Sequence, residues 1–480
     1  MSHVVRLSSG EVAGRLDGGV GSWRGIPYAT AARFAPAGPV VPWSGVRDAT
    51  GPGPVGLQWA VGGGLVGTED CLTLDVYAPA EATVPLPVLF WVHGGAFVTG
   101  AAADYDGSVL AAAGPCVVVA VSYRLGPFGF LQLGTPEDPE PSPAMTDLLA
   151  ALDWVQREVG RFGGDAGRLT LAGQSAGASL VCALLAADAG RRTRAAVALS
   201  VGGPPLEAAE AVDVAGWVLA ELGLAREDRT ALRDVPAVAV MDAARRVARA
   251  SDRVGGAVFA PVVDGTVLPA RPADVVASGA LRDVPVWFGS CRDEMTSLLT
   301  AGTDGATAVA RRRVGAARFD RLLEVYARTA RPGEDPLRSL LTDEMWLEPV
   351  RELALAQTAA GGRAWLSRWD HAPSLPPFDA LGPTHGADNA CLWAAPPRFV
   401  ERPLLTRPGG PMSPADRTVT EALHEAVLGT VRTGSPAAGL LADWPTYRPD
   451  AHCTAVFDAV PRVVADPAAQ RRRAWADLSG

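Results

Sequence analysis

Leu169-Thr-Leu-Ala-Gly-Gln-Ser-Ala-Gly-Ala-Ser-Leu180 is the stretch on which the fold turns. A short apolar run enters a G-x-S-x-G pentapeptide, Gly173 to Gly177, and small helix-forming residues follow. A direct turn from strand to helix holds its serine in a strained backbone conformation, and only small neighbours at the flanking positions avoid a clash. The hydroxyl of Ser175 then stands exposed at the carboxyl edge of a sheet. The helix N-terminus behind it favours developing negative charge. In a chain rich in alanine and glycine, the bare pentapeptide fits a plain glycine turn equally well. The strand before it and the helix after it favour a nucleophile.

Working outward, residues 88–92, 116–122, 169–172, 195–200 and 284–288 are short, apolar and β-branched or aromatic, without strict alternation. Strands covered on both faces have this composition. Between them lie helical patterns such as 146–161, with Leu148, Leu149, Leu152, Val155 and Val159 at helical spacing. Alternating strand and helix predicts an α/β fold, a large mostly parallel central sheet flanked by helices. Alanine-rich stretches at about 207–253 and 307–345 are expected to be helical insertions forming a cap around the site. From Ala415 onward a long helix and then irregular structure are expected. The whole of 1–480 is expected to form one domain, with no repeat or linker.

Composition narrows the chemistry. Of 480 residues 43 are basic and 52 acidic, for a formal charge of −9, and every basic residue is arginine. Without lysine there is no Schiff base, no covalently held pyridoxal phosphate, no biotin or lipoyl attachment, no Walker A loop and no S-x-x-K nucleophile. Isoleucine and asparagine occur once each, at Ile26 and Asn389. All three rare residues have AT-rich codons, so a GC-rich genome accounts for the pattern. The mild acidity argues against a nucleic-acid or anionic-membrane partner, and the arginine triplets 311–313 and 471–473 read as solvated helix faces. The start, MSHVVRLSSGEV, carries no apolar segment of the signal-peptide kind. The most apolar stretch, 109–121, is interrupted by Gly114-Pro115 and too short to span a bilayer. Cysteines at 71, 116, 182, 291, 391 and 453 form no C-x-x-C pair. That usage predicts reduced thiols and a cytoplasmic setting, with a single long-range bridge left open.

A serine hydroxyl needs a base. With no lysine present, histidine leads: His3, His93, His371, His385, His424 and His452. His93 belongs to Trp91-Val92-His93-Gly94-Gly95-Ala96-Phe97, a turn after strand 88–92 whose N–H groups can aim at a carbonyl oxygen. His424, mid-helix, reads as a surface histidine. His385, in Gly382-Pro-Thr-His-Gly-Ala-Asp388, sits among turn residues and is favoured modestly over His371. The acid should follow a strand between serine and histidine. Asp293 or Glu294, after 284–288, fits, and Asp264 is the rival. Gly62-Gly-Gly-Leu-Val-Gly67 spells G-x-G-x-x-G but follows no convincing strand and leads into no helix, so it reads as a loop and not a nucleotide site.

These residues together resemble the type B carboxylesterase family, the cholinesterase-like branch of the α/β-hydrolases. Phe162-Gly-Gly-Asp-Ala-Gly-Arg-Leu-Thr-Leu-Ala-Gly-Gln-Ser-Ala-Gly177 resembles its serine signature, and Glu69-Asp-Cys-Leu-Thr-Leu-Asp-Val-Tyr-Ala-Pro79 its second one. Further similar stretches run from about residue 4 to 475, among them 23–29, 122–126, 128–130, 260–265 and 444–447. The resemblance implies a catalytic set of Ser175, Glu294 and His385, with oxyanion donors at the N–H groups of Gly95, Ala96 and Ala176. It implies ester hydrolysis through an acyl-enzyme on a small-molecule ester, with no cofactor and no metal. It also implies internal ion pairs Arg24–Glu69 and Arg124–Asp165, and a buried serine near the triad at Ser200. The sequence departs from the family at Gln174, where glutamate is common, and at Ala96, where a third glycine is common. Cys71 has no earlier cysteine to bridge, and the choline-binding aromatic pattern is not recognisable. An acyltransferase or a lactone- or carbamate-processing enzyme of secondary metabolism on the same triad, or a non-catalytic interaction protein on the same fold, are the alternative readings. Whether the chain is a monomer or a homodimer is open.

Overall fold

In a computed structural model of the chain, residues 2–60, 62–187, 189–251, 258–299, 302–393 and 412–477 are described. Among the described residues the central sheet has thirteen strands, twelve of them along one path: β1 Ser2–Leu7, β2 Gly10–Asp17, β3 Val20–Pro27, β4 Thr73–Pro79, β5 Leu86–Val92, β6 Val117–Val121, β7 Gly164–Gln174, β8 Ala195–Leu199, β9 Val286–Cys291, β10 Ala364–Trp369, β11 Cys453–Phe457 and β12 Arg462–Ala465. Their spatial order is β1-β2-β3-β4-β6-β5-β7-β8-β9-β10-β11-β12, and the short segment Val46–Asp48 pairs with β2 off this path. All neighbours from β6 to β11 are parallel. The outer pairs β1–β2, β2–β3, β3–β4, β4–β6 and β11–β12 are antiparallel. The sheet is thus mixed, with a parallel centre and antiparallel ends, and the arrangement is that of an α/β-hydrolase.

The buried strands alternate between two cores. Along β5, Val88, Phe90 and Val92 pack on one face, while Leu89 and Trp91 pack on the other. The first face is covered by the helices Pro143–Glu158 and Ala176–Ala186, through Leu148, Leu152, Leu180 and Leu184. The second is covered by Pro414–Thr433, through Val419, Leu423 and Val427. With both faces dry, the strands have no reason to alternate polar and apolar residues, which is why the apolar runs are continuous.

The expected strands are all present, with small shifts. Strand 284–288 is observed as β9, Val286–Cys291, because Pro285 offers no N–H to the ladder. The first insertion contains helices Ala208–Glu221 and Ala237–Ala250; its last two residues, 252 and 253, lie outside the described residues. The second contains Asp304–Val314, Ala316–Thr329 and Pro336–Thr342, then a π-helical turn, Asp343–Leu347. The C-terminal part departs from expectation. After Pro414–Thr433 the chain is not irregular but adds β11, β12 and the helix Ala469–Asp477. The five-residue β11 is a strand because β10 lies beside it in parallel register and β12 in antiparallel register, a tertiary cause.

All six cysteines are free, and five of them are buried. No helix among the described residues is long and apolar enough to cross a membrane.

Candidate active site

The carboxyl ends of parallel strands share one edge, and in open α/β sheets ligands gather there. Ser175 follows β7 at that edge with φ 59° and ψ −129°, the strained turn that the glycine pattern predicts. Its N–H donates to the Leu199 carbonyl of β8 at 2.9 Å. A Cβ on Gly177 would lie 2.1 Å from the Val92 oxygen, and one on Gly173 would lie 2.6 Å from the Gly177 carbonyl carbon. Both glycines are therefore required by close backbone approach at the end of β5.

His385 reaches the serine from a loop, Nε2 to Ser175 Oγ at 2.8 Å. Its Nδ1 lies 2.5 Å from Glu294 Oε2, just beyond β9. The other oxygen of Glu294 accepts from Ser200 Oγ at 2.6 Å and from the Cys291 N–H at 2.7 Å. Glu294 is fully buried and Ser175 is 9% exposed. The histidine and acid loops are fastened to each other. The Asp293 N–H donates to Pro383 O at 3.1 Å, and the Ser297 N–H donates to Thr384 Oγ1 at 2.9 Å. A serine, an imidazole and a carboxylate so linked can pass a proton from hydroxyl to ring while the acid fixes the ring's orientation.

The turn after β5 lies against the serine. A Cβ on Gly94 would fall 3.1 Å from Ser175 Cβ. Gly95, Ala96 and Phe97 all have positive φ (115°, 52° and 64°), so this turn is left-handed at three successive residues. Among the described residues the N–H groups of Gly95 and Ala96 have no backbone acceptor. Ala176 is the first residue of Ala176–Ala186, where the N–H has no partner inside the helix. His93 supports this turn and lies outside the chain of hydrogen bonds from Ser175 through His385 to Glu294. It is fully buried, stacks on Tyr123 at 4.4 Å, and lies with Nδ1 2.8 Å from Gly94 O. Burial pushes its pKa down to about 4, so it is neutral near pH 7.

The other candidates lie elsewhere. His371 lies two residues beyond β10 and bonds Asp416 at 2.7 Å. Asp264 accepts from its own turn, from the Thr266 and Val267 N–H groups at 2.7 Å. Asp293 pairs with Arg292 and Arg331. His424 is not a surface residue but half-buried, its Nε2 2.8 Å from Leu392 O. The glycines 62–64 form the tip between the short strands Gln58–Trp59 and Leu65–Val66, with no helix following.

Ser200 sits where expected, but both expected ion pairs are formed differently. Arg24 pairs with Asp75 at 3.1 Å, because the β3–β4 register shifts between Trp23 and Ile26 and sets Asp75 opposite the bulge. Glu69 pairs with Arg33 instead. Arg124 pairs with buried Asp147 at 2.6 Å, whereas Asp165 lies at the far, amino-terminal end of β7.

Two neighbours of the site carry no local sequence signal. Trp346, in the π-helical turn, packs on the His385 ring. Asn389 donates from Nδ2 to Gln174 Oε1 at 3.1 Å; its rarity in the composition was the one available pointer. Among the described residues no group of three His, Cys, Asp or Glu side chains is placed to hold a metal ion.

The model of the carboxylesterase family matches residues 1–474. The para-nitrobenzyl esterase of Bacillus subtilis (strain 168) is 30% identical, with 98% of each chain covered. The phenmedipham hydrolase of Pseudarthrobacter oxydans is 30% identical, with 93% of each covered. Among solved structures, a PNB esterase superposes with a TM-score of 0.84 at 29% identity, covering 98% of this chain and 99% of the other. A carboxylesterase of Geobacillus stearothermophilus gives 0.83 at 30% identity with the same coverage. Over almost its whole length, then, this chain belongs to the carboxylesterase family and is a carboxylic ester hydrolase.

Proposed function

We propose that the chain hydrolyses small carboxylic esters through an acyl-enzyme, with Ser175 as nucleophile, His385 as general base and acid, and Glu294 as the group that orients the imidazole. Ser175 Oγ attacks the ester carbonyl carbon as its proton passes to His385 Nε2. Glu294 stabilises the imidazolium through Nδ1–H. The N–H groups of Gly95, Ala96 and Ala176 hold the tetrahedral oxyanion. His385 then protonates the departing alkoxide, and the alcohol leaves. Water, deprotonated by His385, attacks the acyl-serine and the acid product departs. No step calls for a metal or an organic cofactor. The observation that carries this reading is the unbroken hydrogen-bond chain from Ser175 Oγ through His385 to Glu294.

Ser175→Ala tests it. Turnover of p-nitrophenyl acetate should fall by on the order of 10^5-fold, with the circular dichroism spectrum unchanged. Covalent labelling by a fluorophosphonate should disappear with it. Turnover near that of the unaltered chain would overturn the assignment.

A further inference from the structure

Gln174 touches three parts of the site at once. It immediately precedes Ser175. Its backbone oxygen lies 2.7 Å, and its side-chain oxygen 3.3 Å, from where a Gly94 Cβ would stand, so it lies over the first glycine of the turn after β5. Its Oε1 also accepts from Asn389 Nδ2. Asn389 sits four residues beyond His385, on the helix Ala387–Leu392 that starts directly after the histidine loop. Its N–H donates to Gly386 O at 3.1 Å, which ties it to that loop. Both side chains are buried, Gln174 at 3% and Asn389 at 1% exposure.

The chemistry of the pair is also uncommon for this chain. Asn389 is the only asparagine among 480 residues. A composition that has dispensed with asparagine at every other position retains it at a buried site where its amide reaches the residue before Ser175. Leucine or aspartate would be close in size, but leucine has no donor and aspartate would add a second buried carboxylate directly after Asp388. An amide supplies the donor without a charge. Gln174 likewise supplies an acceptor without one.

We propose that Gln174 and Asn389 form a positioning pair that sets the spacing of the serine, the histidine loop and the turn carrying Gly95 and Ala96. The pair touches no substrate and acts through its neighbours. This inference rests on the roles proposed for Ser175 and His385. A displacement of about 1 Å in such a constellation can cost ~100-fold in rate, so loss of one tie is expected to cost on the order of tenfold.

The test is a double-mutant cycle in the full-length chain with p-nitrophenyl acetate, read as kcat and KM beside Tm. Gln174→Met and Asn389→Leu should each lower kcat ~10-fold with KM within about twofold, and the double variant should fall no further than either single one. Gln174→Glu keeps an acceptor for Asn389 Nδ2, and at its own pH plateau it should retain kcat within about threefold. Should Gln174→Met fail to fold, Asn389→Ser, too short to reach Gln174, reads the same loss. Additive losses of kcat in the cycle, or unchanged kcat in Asn389→Leu and Asn389→Ser, overturn the pairing. Ser175→Ala separates the two levels. If it is inactive while the pair variants turn over normally, the positioning role fails and the triad stands. If it remains active, the triad itself fails.

Discussion

Trp346 lays its indole against the imidazole of His385, ring centroids 4.5 Å apart with 41° between the planes. The contact is built from several sides. The indole N–H donates to Met295 Sδ at 3.4 Å, and a Cβ on Gly202 would lie 2.2 Å from the ring, so Gly202 leaves the space that the indole fills. Gly202 is itself held by the helix Ala176–Ala186, where Ser179 Oγ donates to its oxygen at 2.5 Å. The turn that presents Trp346 is π-helical, a form that recurs at functional sites.

Trp346→Ala is therefore expected to act on stability and on rate together. Removing a buried indole costs about 3–5 kcal/mol of folding free energy. The freed imidazole loses one wall of its position, and kcat should fall by on the order of tenfold. Trp346→Phe, which keeps a ring there, should recover most of the rate. Thermal unfolding and p-nitrophenyl acetate kinetics check both, and a variant that loses stability but keeps kcat would show the contact to be packing alone.

The glycines of the elbow allow a sharper steric prediction. In Gly177→Ala the new methyl would meet the Val92 carbonyl at 2.1 Å and the His93 carbonyl carbon at 2.8 Å, both backbone atoms. Backbone cannot swing aside as a side chain can, so the cost should exceed the 1–3 kcal/mol usual for overpacking. Expression of Gly177→Ala should yield little folded protein. Gly62→Ala is the control, since nothing lies within 4 Å of its Cβ position. Its φ of +93° should limit the loss to about 1–2 kcal/mol, with activity retained.

How far the sequence alone was readable follows from where each constraint originates. The elbow at Gly173–Gly177 and the Gly94-Gly95 turn were legible because their cause is local: a close approach that forbids any side chain. The strands of the parallel centre were legible because burial on both faces leaves them apolar throughout. The ion pairs were not. Arg24 meets Asp75 only because the β3–β4 register shifts by a bulge, and no pattern in either segment encodes that. The strand character of β11 likewise comes from its neighbours β10 and β12 and not from its own sequence. Local chemistry does not distinguish Glu294 from Asp293, and the fold separates them by direction. One side chain turns in toward Ser200 and His385, while the other turns out to Arg292 and Arg331.

Ser200 lends its hydroxyl to Glu294, so Ser200→Ala should weaken the acid's hold on the ring. The lost bond is to a buried carboxyl, where such bonds contribute about 1.5–3 kcal/mol. If half of that appears in the transition state, kcat falls on the order of fivefold, with KM nearly unchanged. Ser200→Thr, which keeps a hydroxyl, should lie between the two if the added methyl is tolerated. An unaltered kcat in Ser200→Ala would mean that the Cys291 N–H alone is enough to hold the acid.

Asp388 makes the stability of this fold depend on pH. It is 4% exposed, and burial together with the charge of Glu294 raises its pKa from the ordinary carboxylate range to about 7. In the unfolded chain it titrates near 3.9. Between about pH 4 and 7 the folded state holds this proton while the unfolded state has released it. The unfolded state then binds fewer protons, and stability falls as pH rises through this window, levelling off above about 7. The full excursion is a few kcal/mol at most. Asp388→Asn removes the ionisable group and keeps the shape. Its Tm relative to the unaltered chain should therefore rise between pH 5 and pH 8, with most of the gain reached by about pH 7. Differential scanning calorimetry across that range measures the difference directly. A Tm difference that is constant with pH would mean that Asp388 carries no such proton and that its neighbours take up the charge instead.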